Sequence, residues 1–285
     1  MQRTRVLLAL FVAAVLLAPA SAQQRRQPPP YRILVSNDDG VNAPGIAALA
    51  QILQAIGDVS IVAPAVNSSG AGHSISTAND AIIREDLTLP NGLKAIGLTA
   101  TPASTVNVAI RNILKPLPDL VVTGINRGYN LGYSAYVSGT LGAARQAVML
   151  GVPAIAASLA AVGVPRDLPY AAEEVLGVAR RLKMYGLPPR TFLNVSIPEM
   201  PKDGYKGYIV TTLAAQHGGE ESYGETKHPG NGRTVYWNVY KEGASASAPQ
   251  GTDVWAVANG YVSVTPMKVG ETDESQINTL KGWFK

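Results

Sequence analysis

The sequence has 285 residues but no cysteine, and only three of its residues are histidines. The absence of cysteine excludes disulfides, zinc–thiolate sites, iron–sulfur clusters and a cysteine nucleophile. Charged residues make up only 15% of the chain, and the net charge is +4. This weak positive field, with no basic run interleaved with aromatics, argues against a nucleic-acid duplex as partner. The 46% share of hydrophobic residues excludes a disordered chain.

No apolar run reaches membrane-spanning length, and the longest one lies near the N-terminus. Residues 6–20 form an apolar run of 15 residues, whereas a transmembrane helix needs about 20. A positively charged start precedes this run, and the small residues up to Ala22 fit a cleavage site. We therefore predict a signal peptide over residues 1–22, a linker over residues 23–30, and export to the periplasm or medium. After cleavage near Ala22 no membrane attachment is expected.

Strand and helix patterns alternate from residue 31 to about residue 200. An apolar strand at 31–36, a helix at 44–56 and a strand at 58–63 form a βαβ unit. Further helices are predicted at 102–114, 138–150 and 168–184, further strands at 119–123, 153–158 and 191–197, and a polar loop at 124–137. The alternation predicts an α/β core with a mostly parallel sheet covered on both faces.

The pattern changes after about residue 200, where helical periodicity fades. Strands are predicted at 208–213, 234–240 and 260–265, and residues 216–233 are polar and glycine-rich. We predict a β-rich C-terminal extension over residues 201–285 that carries a long hairpin or arm. His217 and His228 fall in this arm and are interpreted as mostly solvated.

Two adjacent carboxylates follow the first predicted strand, at the edge where open parallel sheets bind ligands. Asp38 and Asp39 supply hard oxygen ligands of the kind that suit Mg²⁺ or Mn²⁺. An aspartate pair at this position also serves simply to make a turn or to cap the following helix. No G-x-G-x-x-G, Walker A, G-x-S-x-G or H-E-x-x-H motif offers a different chemistry.

Two further segments at the same edge are suited to bind a phosphate group. Residues 67–74 form a glycine- and serine-rich loop, in which His73 is either a general acid, a phosphate ligand or a structural surface histidine. Residues 138–140 open a helix, and the free amides of a helix start bind phosphate. Ser138 also fits the commoner role of an ordinary N-cap.

These segments resemble the survival protein SurE family of metal-dependent nucleotidases. The resemblance rests on residues 33–45, 62–64 with 67–74, 119–126 with 130–132, and 136–140, and on 252–253 and 260–266. It implies a Rossmann-like, doubly wound catalytic core over residues 31–200 and one divalent ion per subunit, Mn²⁺ or Mg²⁺. It also implies hydrolysis of nucleoside monophosphates or other phosphate monoesters, often with 3′-nucleotidase or short-chain polyphosphatase activity.

The resemblance implies the metal ligands, and the chemistry of the segments themselves suggests the catalytic and phosphate-binding residues. The metal ligands of the family fall on Asp38, Asp39, Ser69 and Asn126. Catalytic roles are assigned to Asp38, Asp39 and His73. Phosphate binding is assigned to Ser69, Gly70, Ser74, Asn130, Ser138, Gly139 and Thr140. The family also implies a dimer or tetramer built by exchange of C-terminal segments, which suits the predicted arm.

One residue departs from the family pattern, since Ser104 stands where a carboxylate is usual. This change bears on substrate preference more than on metal binding. Both direct attack by water and an aspartyl-phosphate route stay open, and we favour water. Two alternative functions remain, namely an exported phosphate- or nucleotide-binding protein without catalysis and a hydrolase of non-phosphate substrates.

Overall fold

The computed structural model describes residues 29–160, 167–199, 204–270 and 272–283. The predicted signal peptide and all but the last two residues of the predicted linker therefore lie outside the described residues. Within those ranges, no helix combines the length and the apolar character that crossing a membrane requires.

The described residues between 32 and 197 form seven strands and five helices, mostly in alternation. The strands are β1 Arg32–Ser36, β2 Asp58–Pro64, β3 Arg84–Thr88, β4 Lys94–Leu98, β5 Leu120–Arg127, β6 Ala154–Leu159 and β7 Thr191–Ile197. The helices are α1 Pro44–Leu53, α2 Pro102–Val108 (continued by a π-helical turn, Ala109–Ile113), α3 Ser134–Val137, α4 Gly139–Met149 and α5 Leu168–Tyr185. Helices α1, α2 and α5 have a proline in the first turn. Proline is suited to this position because a backbone N–H there would have no intrahelical acceptor.

The remaining elements lie after residue 203. They are β8 Tyr208–Val210, β9 Gly219–Lys227, β10 Thr234–Glu242, α6 Asp253–Ala258, β11 Val262–Lys268, a 3₁₀ turn Glu274–Gln276 and α7 Ile277–Trp283. Strands β9 and β10 pair antiparallel as a hairpin outside the main sheet. This hairpin is the long arm that the glycine-rich residues 216–233 predicted.

Nine of the described strands form one sheet in the order β3-β4-β2-β1-β5-β6-β7-β11-β8. Most neighbours are parallel, whereas the β3–β4 and β7–β11 pairs are antiparallel. The chain winds outward from β1 in one direction through β2 and in the other through β5. The two windings diverge between β1 and β5, and ligands bind at such a switch point in doubly wound folds. The predicted α/β fold class is confirmed.

The sheet is covered on both faces, which accounts for its nearly continuous apolar strands. Helices α1 and α5 pack on one face through side chains such as Leu49 and Val175. Helices α2 and α4 pack on the other face through side chains such as Val106 and Ala147. The C-terminal segment joins the same structure, because β8 and β11 extend the sheet beyond β7.

Several element boundaries differ from the sequence prediction. Residues 124–127 are the end of β5 rather than part of a loop, because pairing with β6 resumes beyond a bulge. The predicted helix 102–114 leaves α geometry after Val108 and continues as a π-helical turn. The antiparallel pair β3–β4 was not predicted. The prediction of a β-rich extension missed α6, whose N-cap Thr252 accepts a hydrogen bond from the Trp255 amide, and α7.

Candidate metal and phosphate site

The turn after β1 is held by the side chain of Asn37. Its Nδ2 donates to the Gly40 carbonyl at 2.8 Å, and its Oδ1 accepts from the Gly40 amide at 3.2 Å. Asn37 is fully buried. This pair of hydrogen bonds fixes the backbone of the two intervening residues, Asp38 and Asp39, at the carboxyl end of the central strand.

Asp38 is 3% exposed and lies against the start of α4. Its Oδ1 accepts a hydrogen bond of 2.6 Å from the Thr140 hydroxyl. Its Oδ2 is packed on Gly139, where a Cβ atom would come within 2.8 Å of that oxygen. Burial raises the pKa of Asp38 to about 6, against the opposing effect of the Thr140 hydrogen bond and with a further increase from the Asp39 charge.

Asp39 is less buried than Asp38 and is held by the end of β5. Its Oδ2 accepts a hydrogen bond from the Arg127 amide at 3.1 Å. Burial raises the pKa of Asp39, and the Arg127 amide and the Arg127 charge both oppose that shift. The two carboxylates are thus held by different elements: the Asp38 side chain contacts the start of α4, and the Asp39 side chain contacts the end of β5.

Asn126 precedes Arg127 on β5 and reaches the same edge through a β-bulge. The β5–β6 register changes between Thr123 and Asn126, so that Asn126 pairs with Ser158. The Asn126 side chain is 9% exposed, and its Nδ2 donates to the Gly128 carbonyl at 2.9 Å. This contact orients the amide and leaves its Oδ1 free of other described residues, as a metal ligand requires.

The loop at 67–77 is tied to the carboxylate turn and to α2. The Ser68 amide donates to the Asp38 carbonyl at 2.7 Å, which places Ser69 next to the pair. The Ser74 carbonyl accepts from the Thr101 hydroxyl at 2.7 Å, and the buried Ser104 hydroxyl accepts from the Ser76 amide at 2.7 Å. Ser104, the departure from the family pattern, therefore anchors this loop.

His73 lies in this loop, and its ring contacts helix α4. Helix α4 contacts Asp38 at Gly139, and one turn later Gly142 packs on Gly72 and on the His73 Cα. The His73 Nε2 is 2.9 Å from the Gln146 Oε1, one further turn along. At a rise of about 1.5 Å per residue, Gln146 is about 10 Å along the axis from Gly139. In this structure the His73 ring is therefore held by a contact with α4.

The start of α4 combines capping with contacts to Asp38. The Ser138 hydroxyl accepts from the Leu141 amide at 3.2 Å, so Ser138 is the N-cap. The Thr140 hydroxyl is bound to Asp38. The first amides of a helix make no intrahelical hydrogen bonds. The Gly139 amide therefore remains as a donor beside Asp38.

The remaining predicted phosphate ligands differ in exposure. Ser69 and Gly70 are exposed, and the Ser69 hydroxyl makes no hydrogen bond to another described residue. Asn130 is 6% exposed, and its carbonyl accepts from the Asn194 Nδ2 at 2.9 Å. The Asn130 Nδ2 is buried without a partner among the described residues. The phosphate-binding role of Asn130 stays a prediction.

The donor set of this site is made of oxygen atoms. Asp38 and Asp39 supply carboxylates, Asn126 supplies an amide oxygen, and Ser69 supplies a hydroxyl. In the described part of the chain no group of three or more His, Cys, Asp or Glu side chains is arranged to hold a metal ion. Two carboxylates with neutral oxygens fit Mg²⁺ or Mn²⁺ and do not fit a nitrogen- and sulfur-preferring ion such as Zn²⁺.

A doubly wound α/β sheet with an acidic oxygen-donor site at its switch point defines a Rossmann-like protein with a site suited to a hard divalent ion. Comparison with known proteins identifies the family. The family described as Survival protein SurE matches residues 33–220, and the chain belongs to this family. This chain is similar to a SurE protein from Aquifex aeolicus whose crystal structure is known, with 34% sequence identity and a TM-score of 0.75. The match covers 89% of this chain and 100% of that one.

The family membership confirms the resemblance that the sequence motifs indicated. Family members are in general metal-dependent phosphatases and nucleotidases that act on phosphate monoesters, and this supports a hydrolase. The family depends on divalent metal ions. Arg127, whose amide contacts Asp39, was missed by the sequence prediction, although Asn126 and Asn130 were named in the same segment.

Proposed function

We propose that this protein hydrolyses nucleoside monophosphates to nucleoside and phosphate with the help of one Mn²⁺ or Mg²⁺ ion. The wider activity would include 3′-nucleotides and short polyphosphates. One observation supports the proposal above all, namely the contact of Asp38 with both Thr140 and Gly139. A phosphate bound at the start of α4 would therefore lie beside the carboxylates that hold the ion.

The fit of the donor atoms indicates which residues would hold the ion, namely Asp38, Asp39, Asn126 and Ser69. When bound, a divalent ion polarises a phosphoryl oxygen and makes water a better nucleophile at neutral pH. The Thr140 hydroxyl fixes the orientation of Asp38, and the Arg127 amide fixes that of Asp39. Asp39 is the less buried carboxylate and accepts the proton of the attacking water. The Gly139 amide stabilises charge on the phosphoryl group.

The proposed role of His73 in protonating the leaving alkoxide stays a prediction. In this structure its ring contacts Gln146. Replacing Gln146 by alanine would free the ring from this contact. An increase of kcat in Gln146→Ala that is lost in the His73→Ala double variant would support the role. Equal kcat in wild type and His73→Ala would exclude it.

A single assay tests the proposed activity. The purified protein is treated with EDTA, Mn²⁺ or Mg²⁺ is restored separately, and phosphate release is measured for 5′- and 3′-nucleoside monophosphates. Release is expected only with metal, and Asp38→Asn is the matched inactive control. Failure of metal to restore release would refute the proposal. Phosphate binding that survives EDTA without any release would instead support the binding-protein alternative.

We also propose that the protein is exported and cleaved near Ala22. The observation behind this proposal is the apolar run at 6–20 followed by small residues. Intact mass of the protein from the periplasm or medium is expected to match a chain that begins at Gln23. Recovery of the protein only from the cytoplasm, with residues 1–22 still attached, would refute it.

We further propose that residues 201–285 act as an extension through which the protein forms a dimer or tetramer. The β9–β10 hairpin supports this, because it leaves Tyr223, Tyr236 and Trp237 at least 60% exposed. Light scattering after size-exclusion chromatography is expected to give a dimer or tetramer. Replacing residues 219–242 by a short Gly-Ser linker should give a monomer, and an unchanged mass would refute the role of the hairpin.

A further inference from the structure

A buried aspartate outside the carboxylate pair joins two distant segments of the chain. Asp253 is the first residue of α6 and is 0% exposed. Its Oδ2 accepts a hydrogen bond from the Gly132 amide at 2.8 Å, and its Oδ1 accepts one from the Ala214 amide at 2.8 Å. The Val254 amide also donates to Oδ1, at 2.9 Å. Each carboxylate oxygen of Asp253 therefore holds the backbone of a different segment.

The two segments that Asp253 holds also contact each other. The Tyr133 amide donates to the Gln216 carbonyl at 2.9 Å. A Cβ atom at Gly132 would overlap the same carbonyl oxygen, so the two backbones approach as closely as a glycine allows. We call residues 214–218, which lead into the β9–β10 hairpin, the hairpin root. Asp253 therefore fixes a close backbone contact between Gly132 and the hairpin root.

Gly132 leads directly into the phosphate half of the candidate site. The segment 130–133 contains the predicted phosphate ligand Asn130 and is followed by α3 and then by α4. The Ala135 amide, in the first turn of α3, donates to the Gly132 carbonyl at 3.2 Å. Because α3 is only four residues long, a shift of Gly132 would be passed on to the Gly139 amide at the start of α4.

The carboxylate of Asp253 is more than a space-filling group. The neighbouring core cluster is apolar and consists of Leu131, Ala214, Ala248, Val254 and Val257. Burial raises the pKa of Asp253, and the hydrogen bonds from the Gly132 and Ala214 amides oppose that shift. A buried ionised group stabilises a fold less than a well-packed apolar side chain does. The carboxylate adds a pair of directed acceptors, which set the positions of two backbone segments as apolar packing does not.

We propose that Asp253 is a positioning residue for the phosphate half of the candidate site, because it holds the segment 130–133 against the hairpin root. The proposal rests on the proposed phosphatase function and adds a residue from the C-terminal extension to it. Asp253 acts through Gly132, α3 and the start of α4. The metal half should be independent of Asp253, since Asp39 and Asn126 are held by contacts at the end of β5.

The test compares Asp253→Asn with Asp119→Asn. Both aspartates accept a hydrogen bond from the backbone amide of a distant segment, but Asp119 holds Arg32 at the amino ends of β1 and β5, away from the site. In Asp253→Asn one carboxylate oxygen is replaced by an amino group, which cannot accept from a backbone amide. One of the two segments that Asp253 holds should therefore loosen.

Phosphate affinity separates a positioning role from a merely structural one. In the metal-loaded full chain, the Kd of inorganic phosphate, measured by calorimetry, is expected to rise about 10-fold in Asp253→Asn. The kcat/KM for a nucleoside monophosphate should fall by a similar factor, whereas the Kd for Mn²⁺ should not rise. Asp119→Asn should lose stability in urea and keep the phosphate Kd of wild type.

Hydrogen exchange tests the hold on the segment without any turnover. Amides of residues 130–133 should exchange faster in Asp253→Asn than in wild type, and at the wild-type rate in Asp119→Asn. Unchanged exchange, or faster exchange with a wild-type phosphate Kd, would overturn the inference.

A second variant keeps the test available if Asp253→Asn does not fold. Gly218→Ala retains Asp253 but would bring a Cβ atom within 2.7 Å of the Leu131 Cβ, which pushes the hairpin root away from the segment. Its phosphate Kd should rise while its Mn²⁺ Kd does not, and a wild-type phosphate Kd would count against the inference. If wild type releases no phosphate, the proposed function fails, and phosphate Kd with hydrogen exchange still decides the role of Asp253.

Discussion

The buried carboxylate of Asp38 destabilises the folded, metal-free protein, and this loss of stability can be measured. Its carboxylate is 3% exposed, and burial raises its pKa from 3.8 to about 6. A difference of about 2 pKa units corresponds to about 3 kcal/mol between the two protonation states. Because the folded pKa is raised, the folded chain binds more protons than the unfolded chain between about pH 4 and pH 6. The free energy of unfolding therefore falls as the pH rises through this window and stays lower above it.

The substitution Asp38→Asn removes this titration while keeping the shape of the side chain. An asparagine Oδ1 can still accept the 2.6 Å hydrogen bond from Thr140. In EDTA-treated protein we therefore expect Asp38→Asn to be more stable than wild type at pH 7 by up to about 3 kcal/mol. At pH 4 the two proteins should be nearly equal. Turnover with metal should be lost.

Urea unfolding at pH 4, 5, 6, 7 and 8 in EDTA measures the effect, with Asp58→Asn as a control at an exposed aspartate. Adding Mn²⁺ at pH 7 should stabilise wild type and not Asp38→Asn, because a bound ion compensates the buried charge. Parallel pH profiles for wild type and Asp38→Asn would refute the reasoning, since Asp38 would then be solvated in the folded protein.

Three further substitutions test the supports of the site. Asp39→Asn should abolish phosphate release with a smaller change in stability than Asp38→Asn, because Asp39 is less buried; retained release would remove Asp39 from the site. Gly139→Ala should destabilise the fold by about 1–3 kcal/mol, since its Cβ would come within 2.8 Å of Asp38. Gly282→Ala, where the added Cβ meets open space, is the control. Equal urea midpoints for Gly139→Ala and wild type would contradict the contact. Thr140→Val should raise the pKa of Asp38 further and move the acid limb of the rate profile to higher pH, whereas Thr140→Ser should not; coincident profiles would show that the hydroxyl has no effect on Asp38.

The regular part of the fold follows from local sequence patterns. Strands β1 and β7 and helices α1, α4 and α5 agree with the predicted elements to within a few residues, because each has a clear apolar periodicity. The β3–β4 pair had a usable signal in Asn91-Gly92, a typical hairpin turn dipeptide. Its strands are partly polar and sit at the sheet edge, so periodicity alone did not reveal them.

The sequence predicts which segments form the site, but not the contacts between their side chains. The sequence places Asp38, Asn126 and residues 138–140 at strand and helix ends, and the topology brings these ends to one edge. Which side chain meets which neighbour depends on packing between distant segments. The Ser104 contact with the Ser76 amide and the turn of His73 towards Gln146 are of this kind. Neither is encoded in local periodicity.

The bulge in β5 shows why residues 124–127 could be taken for a loop and yet be essential to the site. Asn126 is three positions after Thr123, while its partner Ser158 on β6 is only two positions after Ala156, the partner of Thr123. In a regular strand, residues three apart point to opposite faces. The extra residue returns Asn126 to the face of Thr123, whose hydroxyl donates to the Thr140 carbonyl at the start of α4.

A glycine permits this bulge. Gly124 has φ +122°, and a Cβ atom there would lie 2.2 Å from the Ala157 carbonyl oxygen. Side-chain-bearing residues rarely adopt that backbone, and none would fit against β6. Without the bulge, Asn126 would point to the face of α1 and α5, and the site would lose an oxygen donor. The inserted residue in the Gly-Ile-Asn segment therefore has two effects. It interrupts the strand pattern in the sequence, and it orients the Asn126 side chain towards the site.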